Sequence, residues 1–314
     1  MKRVDIPNKQ ISNDSVSIAI SKLGGSINMF EYYYGITIEL LKYKNENHTP
    51  FTKNDLIYLY DIYNLMPQNR DNEILKYIRL GRDIVSDMAT IFDCSLDEVA
   101  ASQNELKKDP SKYVVLLDDF DMGSCDEFGF GNKYPRLKYI MGICHAFFCT
   151  ELDNTFPVLE AIGSNLDLYN ITNSVGLENL KSIGGHATFN YLYSVTNLCN
   201  LVIIGGDARF PNLKSSKGLE KLFLIGGHAT FNILNDATGL CNLEMIGGTA
   251  RFHSLRSAKG LEKLRYIGLI ANFDRLESMD GLSNLEYIGE LESSYFNSLP
   301  TIEREKIKTR VRTK

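Results

Sequence analysis

The chain has 314 residues, of which 44% are apolar and 23% are charged, a composition typical of a soluble globular protein of about two domains. Its net charge of −5 is spread unevenly, with −3 on residues 1–110, −6 on residues 111–300 and +4 on residues 301–314. An acidic body argues against nucleic acid as a partner, because phosphate contacts need a basic surface, and no window approaches the run of about 18 apolar residues that spans a membrane.

The N-terminal cations have no apolar run behind them, so no secretory signal is predicted. The six cysteines show neither a CxxC pair nor the spacing of a metal site. Free thiols in a reducing compartment are the simplest interpretation, and we therefore predict a cytoplasmic protein without a metal or any other cofactor. The sequence makes no prediction about the oligomeric state.

Residues 1–110 contain no repeat, and their apolar residues recur at helical spacing, so we predict a mostly helical N-terminal domain. Thr52 can cap one helix, and residues 71–92 carry the apolar pattern of a second. Ser95 and Glu98 have the spacing of a capping box, which predicts the start of a further short helix.

Residues 111–133 are predicted to form a capping strand and a connection. The apolar run at 112–117 reads as a strand that covers the open end of a following repeat array, which such arrays require. The connection carries Asp118, Asp119 and Asp121, for which a bound cation and a solvated acidic loop are the two interpretations. We favour the solvated loop.

A 21-residue repeat occupies residues 134–300, with the consensus G-L-x-x-L-x-x-I-G-G-x-A-x-F-x-x-L-x-S-x-x. One column shows how well the phase is kept: Phe189, Phe210, Phe231, Phe252 and Phe273 are each 21 residues apart. One coil cannot bury its own apolar face, whereas stacked coils form a continuous core. The repeat therefore predicts a parallel-β solenoid of about seven coils.

Each part of the consensus predicts a local structure. The x-A-x-F stretch alternates with a period of two, which indicates one strand per coil with Ala and Phe inward. The Gly-Gly pair before it predicts a tight corner, and the Gly or Asn at the first position predicts a left-handed backbone. The small oxygen-bearing side chains at the nineteenth position are expected to accept backbone N–H groups: Ser194, Ser215, Asp236, Ser257 and Ser278. Alternate coils are the most alike, so a period of 42 residues overlies the first.

This consensus resembles leucine-rich repeats and is most similar to the I-G-G-type repeats of receptor L-domains. The resemblance implies an α+β fold, in which a parallel-β leucine-rich-repeat solenoid follows the helical domain, and it implies recognition of a protein partner. The sequence departs from the common pattern because Leu192 and its equivalents stand where an asparagine ladder is expected. Ala and Phe also replace the usual strand leucines.

The outward strand positions form three polar columns, and we predict that a protein partner binds this exposed strand face. The predicted partner-binding residues are His186, Thr188, Asp207, Arg209, His228, Thr230, Arg251, His253 and Asn272. The two arginines are the expected anchors, because arginine is enriched at interface hot spots. His186, Asp207 and His228 lie in one row, where a zinc site and a hydrogen-bonded ladder are both conceivable, and we favour the ladder.

No nucleophile–base pattern and no phosphate-binding loop is present, so we predict a non-enzymatic recognition module without catalytic residues. Two alternatives stay open. The chain could be an effector or enzyme whose activity lies in residues 1–110 and whose solenoid selects the target, or a structural protein without a specific ligand. The basic tail at 301–314 is interpreted as a solvated end, with contact to acidic lipid or RNA as its alternative.

Overall fold

A computed structural model describes residues 83–123, 133–152 and 155–292, together with Lys53 and Leu56. Nearly all of this part of the chain is a parallel β-solenoid of about eight turns. The predicted helices in residues 1–82 lie outside the described residues except for Lys53 and Leu56, and so does the tail at 301–314. Within the described ranges, no helix is long and apolar enough to cross a bilayer.

Two short helices lie at the beginning of this part of the chain: α1 spans Ile84–Phe92 and precedes the first strand, and α2 spans Gln103–Lys108 and lies between the first two strands. Asp83 caps α1, because its carboxylate accepts a hydrogen bond from the N–H of Val85 at 3.1 Å. The predicted capping box is confirmed, since the N–H of Ser95 donates to Glu98 Oε2 at 2.8 Å. It begins one 3₁₀ turn, after which the chain enters the sheet.

Most turns of the solenoid contain two short strands, where the sequence predicted one. The first column of strands consists of β1 (Val99–Ala100), β2 (Val115–Leu116), β4 (Tyr139–Ile140), β6 (Ala161–Ile162), β8 (Ser182–Ile183), β10 (Ile203–Ile204), β12 (Leu224–Ile225) and β14 (Met245–Ile246). The second column consists of β3 (Phe120–Asp121), β5 (Cys144–His145), β7 (Leu166–Asp167), β9 (Ala187–Thr188), β11 (Ala208–Arg209), β13 (Ala229–Thr230) and β15 (Ala250–Arg251). In the last two turns one strand serves both columns: β16 (Tyr266–Asn272) and β17 (Tyr287–Glu292).

All strand pairs are parallel, and Ala187, Ala208, Ala229 and Ala250 pair in register with one another. The first column escaped prediction because its strands are two residues long, too short to show a period of two. The L-x-x-L-x-x-I spacing in front of it instead has a period of three.

The sheet begins further upstream than the repeat indicated. β2 pairs with β1 on one side and with β4 on the other, in the register Val99, Val115 and Tyr139. The segment at 112–117, expected to cap the open end, is therefore an interior part of the sheet, and β1 is the outermost of the described strands. The reason is that residues 111–123 already form a full coil, whose Phe120 is buried in the core.

Helix α1 packs on the outer side of the first column of strands. Met88 and Ala89 form a small apolar cluster with Val115 and Tyr139, and the ring of Phe92 stacks on that of Tyr139 at 4.9 Å. Both faces of these first strands are therefore apolar and buried. The main core lies between the two strand columns and runs the length of the solenoid.

The phenylalanines of the repeat form a continuous stack inside the solenoid. Phe189, Phe210, Phe231, Phe252 and Phe273 are fully buried, with centroid distances between 4.9 and 5.4 Å and interplanar angles between 3° and 17°. The alanine two residues before each ring is buried as well. The predicted inward direction of both columns is confirmed.

The first position of the repeat adopts two conformations. The predicted left-handed backbone is confirmed where φ is positive, for example +108° at Gly218, and likewise at Gly176, Gly260 and Gly281. The prediction is wrong for Asn197 and Gly239, which lie in the 3₁₀ turns Thr196–Leu198 and Thr238–Leu240. Coils from residue 176 to residue 260 therefore alternate between a left-handed and a 3₁₀ form.

The acceptor for the first-position N–H distinguishes the two forms. At the left-handed Gly176, Gly218 and Gly260 it is a carboxylate two residues ahead, as in the 2.9 Å bond from Gly218 to Glu220. In the 3₁₀ form it is the buried hydroxyl of the preceding coil, as in the 3.0 Å bond from Gly239 to Ser216. In the coil before Gly281, Ala258 occupies the position of this serine and offers no hydroxyl. Gly281 accordingly has the left-handed form.

Polar ladders hold the turns of neighbouring coils. The predicted small acceptors are confirmed at four of five positions, since Asp236 Oδ1 accepts the N–H of Thr238 at 3.1 Å and equivalent bonds form at Ser215, Ser257 and Ser278. Ser194 differs, because its hydroxyl lies 3.3 Å from the hydroxyl of Thr196. An asparagine ladder is also present, but not at the position of Leu192 and its equivalents, where the sequence analysis looked for it. The amides of Asn179, Asn200, Asn242 and Asn284 each donate to a carbonyl oxygen of the preceding coil.

Phe231 is the central ring of the buried stack, so replacing it with Ala should create a cavity that its neighbours cannot close. We expect Phe231→Ala to lower the free energy of unfolding by about 3–5 kcal/mol. Urea titration of the full chain measures this. The matched control is Phe148→Ala, because Phe148 is 72% exposed and its truncation should change stability by less than about 0.5 kcal/mol. Equal effects of the two variants would contradict the inward register.

Candidate functional site

A hydrogen-bonded ladder runs along the corner between the two strand columns. His186 Nδ1 accepts the backbone N–H of Asp207 at 2.8 Å, Asp207 Oδ1 accepts the N–H of His228 at 2.9 Å, and His228 Nδ1 accepts the N–H of Thr249 at 2.9 Å. The predicted ladder is confirmed, with one difference: each side chain bonds the backbone of the next coil, where bonds between side chains were expected.

The ladder continues upstream into coils where the sequence analysis did not find it. Asn165 Oδ1 accepts the N–H of His186 at 2.8 Å, and Asp119 Oδ1 accepts the N–H of Ile143 at 2.7 Å. The signal was present, since Asn165 directly precedes an inward strand residue as His186 does. We call Asp119, Asn165, His186, Asp207 and His228 the corner ladder.

The corner ladder explains the second glycine of three Gly-Gly pairs, Gly185, Gly206 and Gly227, whereas a Cβ atom at Gly248 would meet backbone atoms of the preceding coil. A Cβ atom at Gly206 would lie 2.7 Å from His186 Nδ1, and one at Gly227 would lie 2.3 Å from Asp207 Oδ1. The acceptor side chain therefore occupies the space that a side chain at the glycine position would need. Where Leu269 replaces this glycine, the corner is lost and β16 runs through as a continuous strand with a register shift.

Asp207 is the electrostatic centre of the ladder. Its other carboxylate oxygen, Oδ2, accepts a hydrogen bond from Arg209 Nη2 at 2.9 Å and lies 3.7 Å from His186 Nδ1. Burial raises the pKa of the Asp207 carboxyl, but the hydrogen bonds from the N–H of His228 and from the Arg209 guanidinium outweigh that effect. The net result is a pKa below the ordinary value of 3.8.

The second column of the predicted site lies on adjacent strands in perfect register. Thr188, Arg209, Thr230, Arg251 and Asn272 follow one another across β9, β11, β13, β15 and β16. Arg209 is exposed, and Thr230, Arg251 and Asn272 are half-buried. Thr188 is only 2% exposed, although an accessible position was expected, so the surface open to a partner is narrower than the predicted one.

His253 of the predicted site lies apart from the corner ladder. Its Nδ1 is 2.7 Å from Asp274 Oδ2 on the next coil, in the third outward column. The structure thus brings His186, Asp207 and Arg209 into direct contact and places Arg251 and His253 further along the solenoid. We call Arg209, Arg251 and His253 the arginine surface.

The sequence analysis missed an exposed group of aromatic side chains at the edge of the strand face. It spans three successive coils and consists of Phe147, Phe148, Tyr169, Tyr191 and Tyr193, which we call the aromatic patch. Rings occupy outward and turn positions there, whereas polar residues occupy most of the equivalent positions in the later coils. Among the aromatic residues, the sequence analysis had assigned a role only to the phenylalanines at inward strand positions.

The described residues offer little for metal or thiol chemistry. No group of three or more His, Cys, Asp or Glu side chains among them has the geometry of a metal site. Carboxylates of the predicted acidic connection bond backbone groups instead, as in the 3.2 Å bond from the Gln103 N–H to Asp118 Oδ2. Burial raises the pKa of the Cys144 thiol, which disfavours the reactive thiolate, and the described cysteines are unbridged.

Comparison with known proteins adds no relative to this geometry. No protein-family model matches the chain, and neither the curated proteins nor the solved structures contain a significant match. The strand pairing alone shows the parallel β-solenoid.

Asp207 can be tested by separating its shape from its hydrogen bond. Asp207→Ala removes the acceptor of the buried His228 N–H, and we expect it to lower the free energy of unfolding by about 1–3 kcal/mol. Asp207→Asn keeps Oδ1 in place, as Asn165 does at the equivalent position, and should lose less. Chemical unfolding of both variants decides this. Equal losses would show that the acceptor bond is not what stabilises the corner.

The pH dependence of the free energy of unfolding should reflect the lowered pKa of the Asp207 carboxyl. The pKa of Asp207 is lower in the folded chain, so as the pH falls the unfolded chain takes up the proton first. Its stabilisation is complete above about pH 5 and is lost as the pH falls through the folded pKa. We expect Asp207→Asn to have a shallower decline of unfolding free energy between about pH 5 and pH 3 than the wild type. Identical slopes would contradict the assignment.

Proposed function

We propose that the chain is a non-enzymatic recognition module of the leucine-rich-repeat type, closest to the I-G-G repeats of receptor L-domains, and that it binds a protein partner on its strand face. The arginine surface is the proposed anchor. The observation that carries this proposal is the pair Arg209 and Arg251, which project from the same position of β11 and β15 with one strand between them. Two strand spacings separate them, about 10 Å.

Several features of this surface support recognition. Arg209 is exposed, and its guanidinium is oriented by the 2.9 Å bond to Asp207, so little conformational freedom is lost when it binds. The backbone behind it is held by the corner ladder and the buried phenylalanine stack. A rigid scaffold that carries two guanidinium groups at the same strand position suits a partner that presents carboxylates, which arginine engages through paired hydrogen bonds.

The other residues of the predicted site have supporting roles in this proposal. His186, Asp207 and His228 maintain the corner, while Thr230, His253 and Asn272 flank the arginines and complete the polar rim. Thr188 is buried between its neighbours and contributes no contact area. The alternative of an effector or enzyme with activity in residues 1–110 concerns mostly residues outside the described part of the chain.

The test starts from partners captured by the full-length chain from its native host. We expect the double variant Arg209→Ser with Arg251→Ser to weaken the affinity for an identified partner at least about tenfold, equivalent to about 1.4 kcal/mol. Its fold should survive, because substitutions at exposed positions usually change stability by less than about 0.5 kcal/mol. Calorimetric titration measures the affinity, and circular dichroism checks the fold.

The matched control removes the same charge from the first strand column. Lys181 directly precedes β8 and forms an ion pair with Glu160 of the preceding coil. Arg265 directly precedes β16 and forms an ion pair with Glu286 of the next coil. Lys181→Ser with Arg265→Ser should leave the affinity unchanged. A partner that tolerates the Arg209 and Arg251 changes but is lost in this control would place the binding surface on the other side of the solenoid.

A further inference from the structure

The strand face changes its charge along the solenoid. The strand-face and turn segments of the first four coils contain four carboxylates and no Lys or Arg: 119–123, 143–151, 165–173 and 186–194. The equivalent segments of the next four coils contain five Lys or Arg and four carboxylates: 207–215, 228–236, 249–257 and 270–278. The arginine surface therefore belongs to one part of the face, and the other part is acidic.

The aromatic patch lies on the acidic part. Phe148 is 72% exposed, Tyr193 57% and Tyr191 49%, whereas the large aromatic residues of the repeat columns are fully buried. The rings of Phe147 and Tyr169 stack across neighbouring coils with their centroids 5.0 Å apart. Backbone hydrogen bonds join Thr150 to Thr172 and Thr172 to Tyr193, so the three coils that carry the patch are held side by side.

A row of polar side chains borders the patch on the strands themselves. Asp121, His145 and Asp167 are in register on β3, β5 and β7. His145 Nε2 lies 3.5 Å from Asp121 Oδ1, and the imidazole ring is 5.1 Å from the ring of Phe147. Carboxylates and exposed ring faces thus occur within one continuous surface. An exposed aromatic surface of this kind marks an interaction site more often than a plain solvated one.

Carboxylates and aromatic faces together attract one chemical group in particular. A guanidinium stacks on an aromatic ring through its π face and at the same time donates paired hydrogen bonds to a carboxylate. We propose that the aromatic patch, with Asp121 and Asp167, is a second docking surface, and that its occupant is an extended, arginine-rich segment of a partner protein. It is independent of the proposed arginine surface, which selects the opposite charge.

The experiment uses the full-length chain and three fluorescein-labelled decapeptides that alternate glycine with arginine, lysine or glutamate. Fluorescence anisotropy should show binding of the arginine peptide, weaker binding of the lysine peptide and none of the glutamate peptide. We expect Phe148→Ser with Tyr193→Ser to weaken arginine-peptide binding at least tenfold. We expect Asp121→Asn with Asp167→Asn, which keeps the side-chain shapes, to weaken it by a similar factor.

Two controls separate a built surface from the general acidity of the chain. Glu277→Gln with Asp280→Asn removes the same two charges from exposed positions of late coils, and Leu269→Ser removes an apolar side chain that is 52% exposed elsewhere. Neither should change the affinity more than twofold. The variant Arg209→Ser with Arg251→Ser should also bind the arginine peptide as the wild type does, so this proposal and the proposed function fail separately.

The proposal is overturned if the late-coil charge control weakens binding as much as the Asp121 and Asp167 changes do, because binding would then reflect net charge alone. It is equally overturned if Phe148→Ser with Tyr193→Ser binds the peptide normally. Sedimentation provides the last check. If the wild-type chain self-associates through the patch, and the aromatic variant is monomeric with unchanged peptide binding, the occupant is a second copy of this chain.

Discussion

The backbone N–H that each corner directs toward the preceding coil is the constraint on which the rest of the solenoid depends. A strand of two residues cannot supply enough carbonyl acceptors, and a buried N–H without an acceptor is costly. The chain supplies a side-chain acceptor from the previous coil at the same position, as Asp207 does for His228. That acceptor occupies the space of a Cβ atom, so glycine must precede the corner residue of the next coil. The tight corner in turn brings the phenylalanines of successive coils into contact.

This dependence restricts where the strand face can vary. Of the three outward columns, the first serves the corner ladder and must provide acceptors, although His, Asp and Asn all do so. The second and third columns have no such requirement after Thr188, and they carry the arginines and the His253 pair. The turn that follows has similar freedom except at its small acceptor position, and the aromatic patch occupies turn and outward positions of this kind. Positions free of structural demands thus lie beside a rigid frame, which is the arrangement expected of a recognition surface.

The sequence predicted those features that repeat at a fixed phase and have a periodic signature. The inward Ala and Phe columns, the Gly-Gly corner and the small acceptors of the turn are examples, and they are confirmed except at Ser194. The first strand column was missed because a two-residue strand has no alternation to detect. The coils before residue 134 were missed because the 24-residue step from Val115 to Tyr139 departs from the 21-residue period. Thr188 could not be predicted as buried, because its exposure depends on side chains of neighbouring coils. The aromatic patch was overlooked because it occupies three coils only, so no column reveals it.

The acceptor of the first-position N–H alternates along the solenoid between a carboxylate and a buried hydroxyl. The natural unit by which the array can lengthen or shorten is therefore a pair of coils. A left-handed coil offers the hydroxyl of Ser174 or Ser216 to the first-position N–H of the 3₁₀ coil that follows it. The 3₁₀ coil in turn provides the surface that the next left-handed coil requires. Unequal recombination that inserted or removed one coil would juxtapose two coils of the same kind and leave a hydroxyl or an N–H mismatched. An exchange of two coils preserves every junction. Length variants of this array should therefore differ by multiples of about 42 residues. Insertion or loss of a single coil should be tolerated only near the end of the array, where Ala258 replaces the hydroxyl and the alternation has already ended.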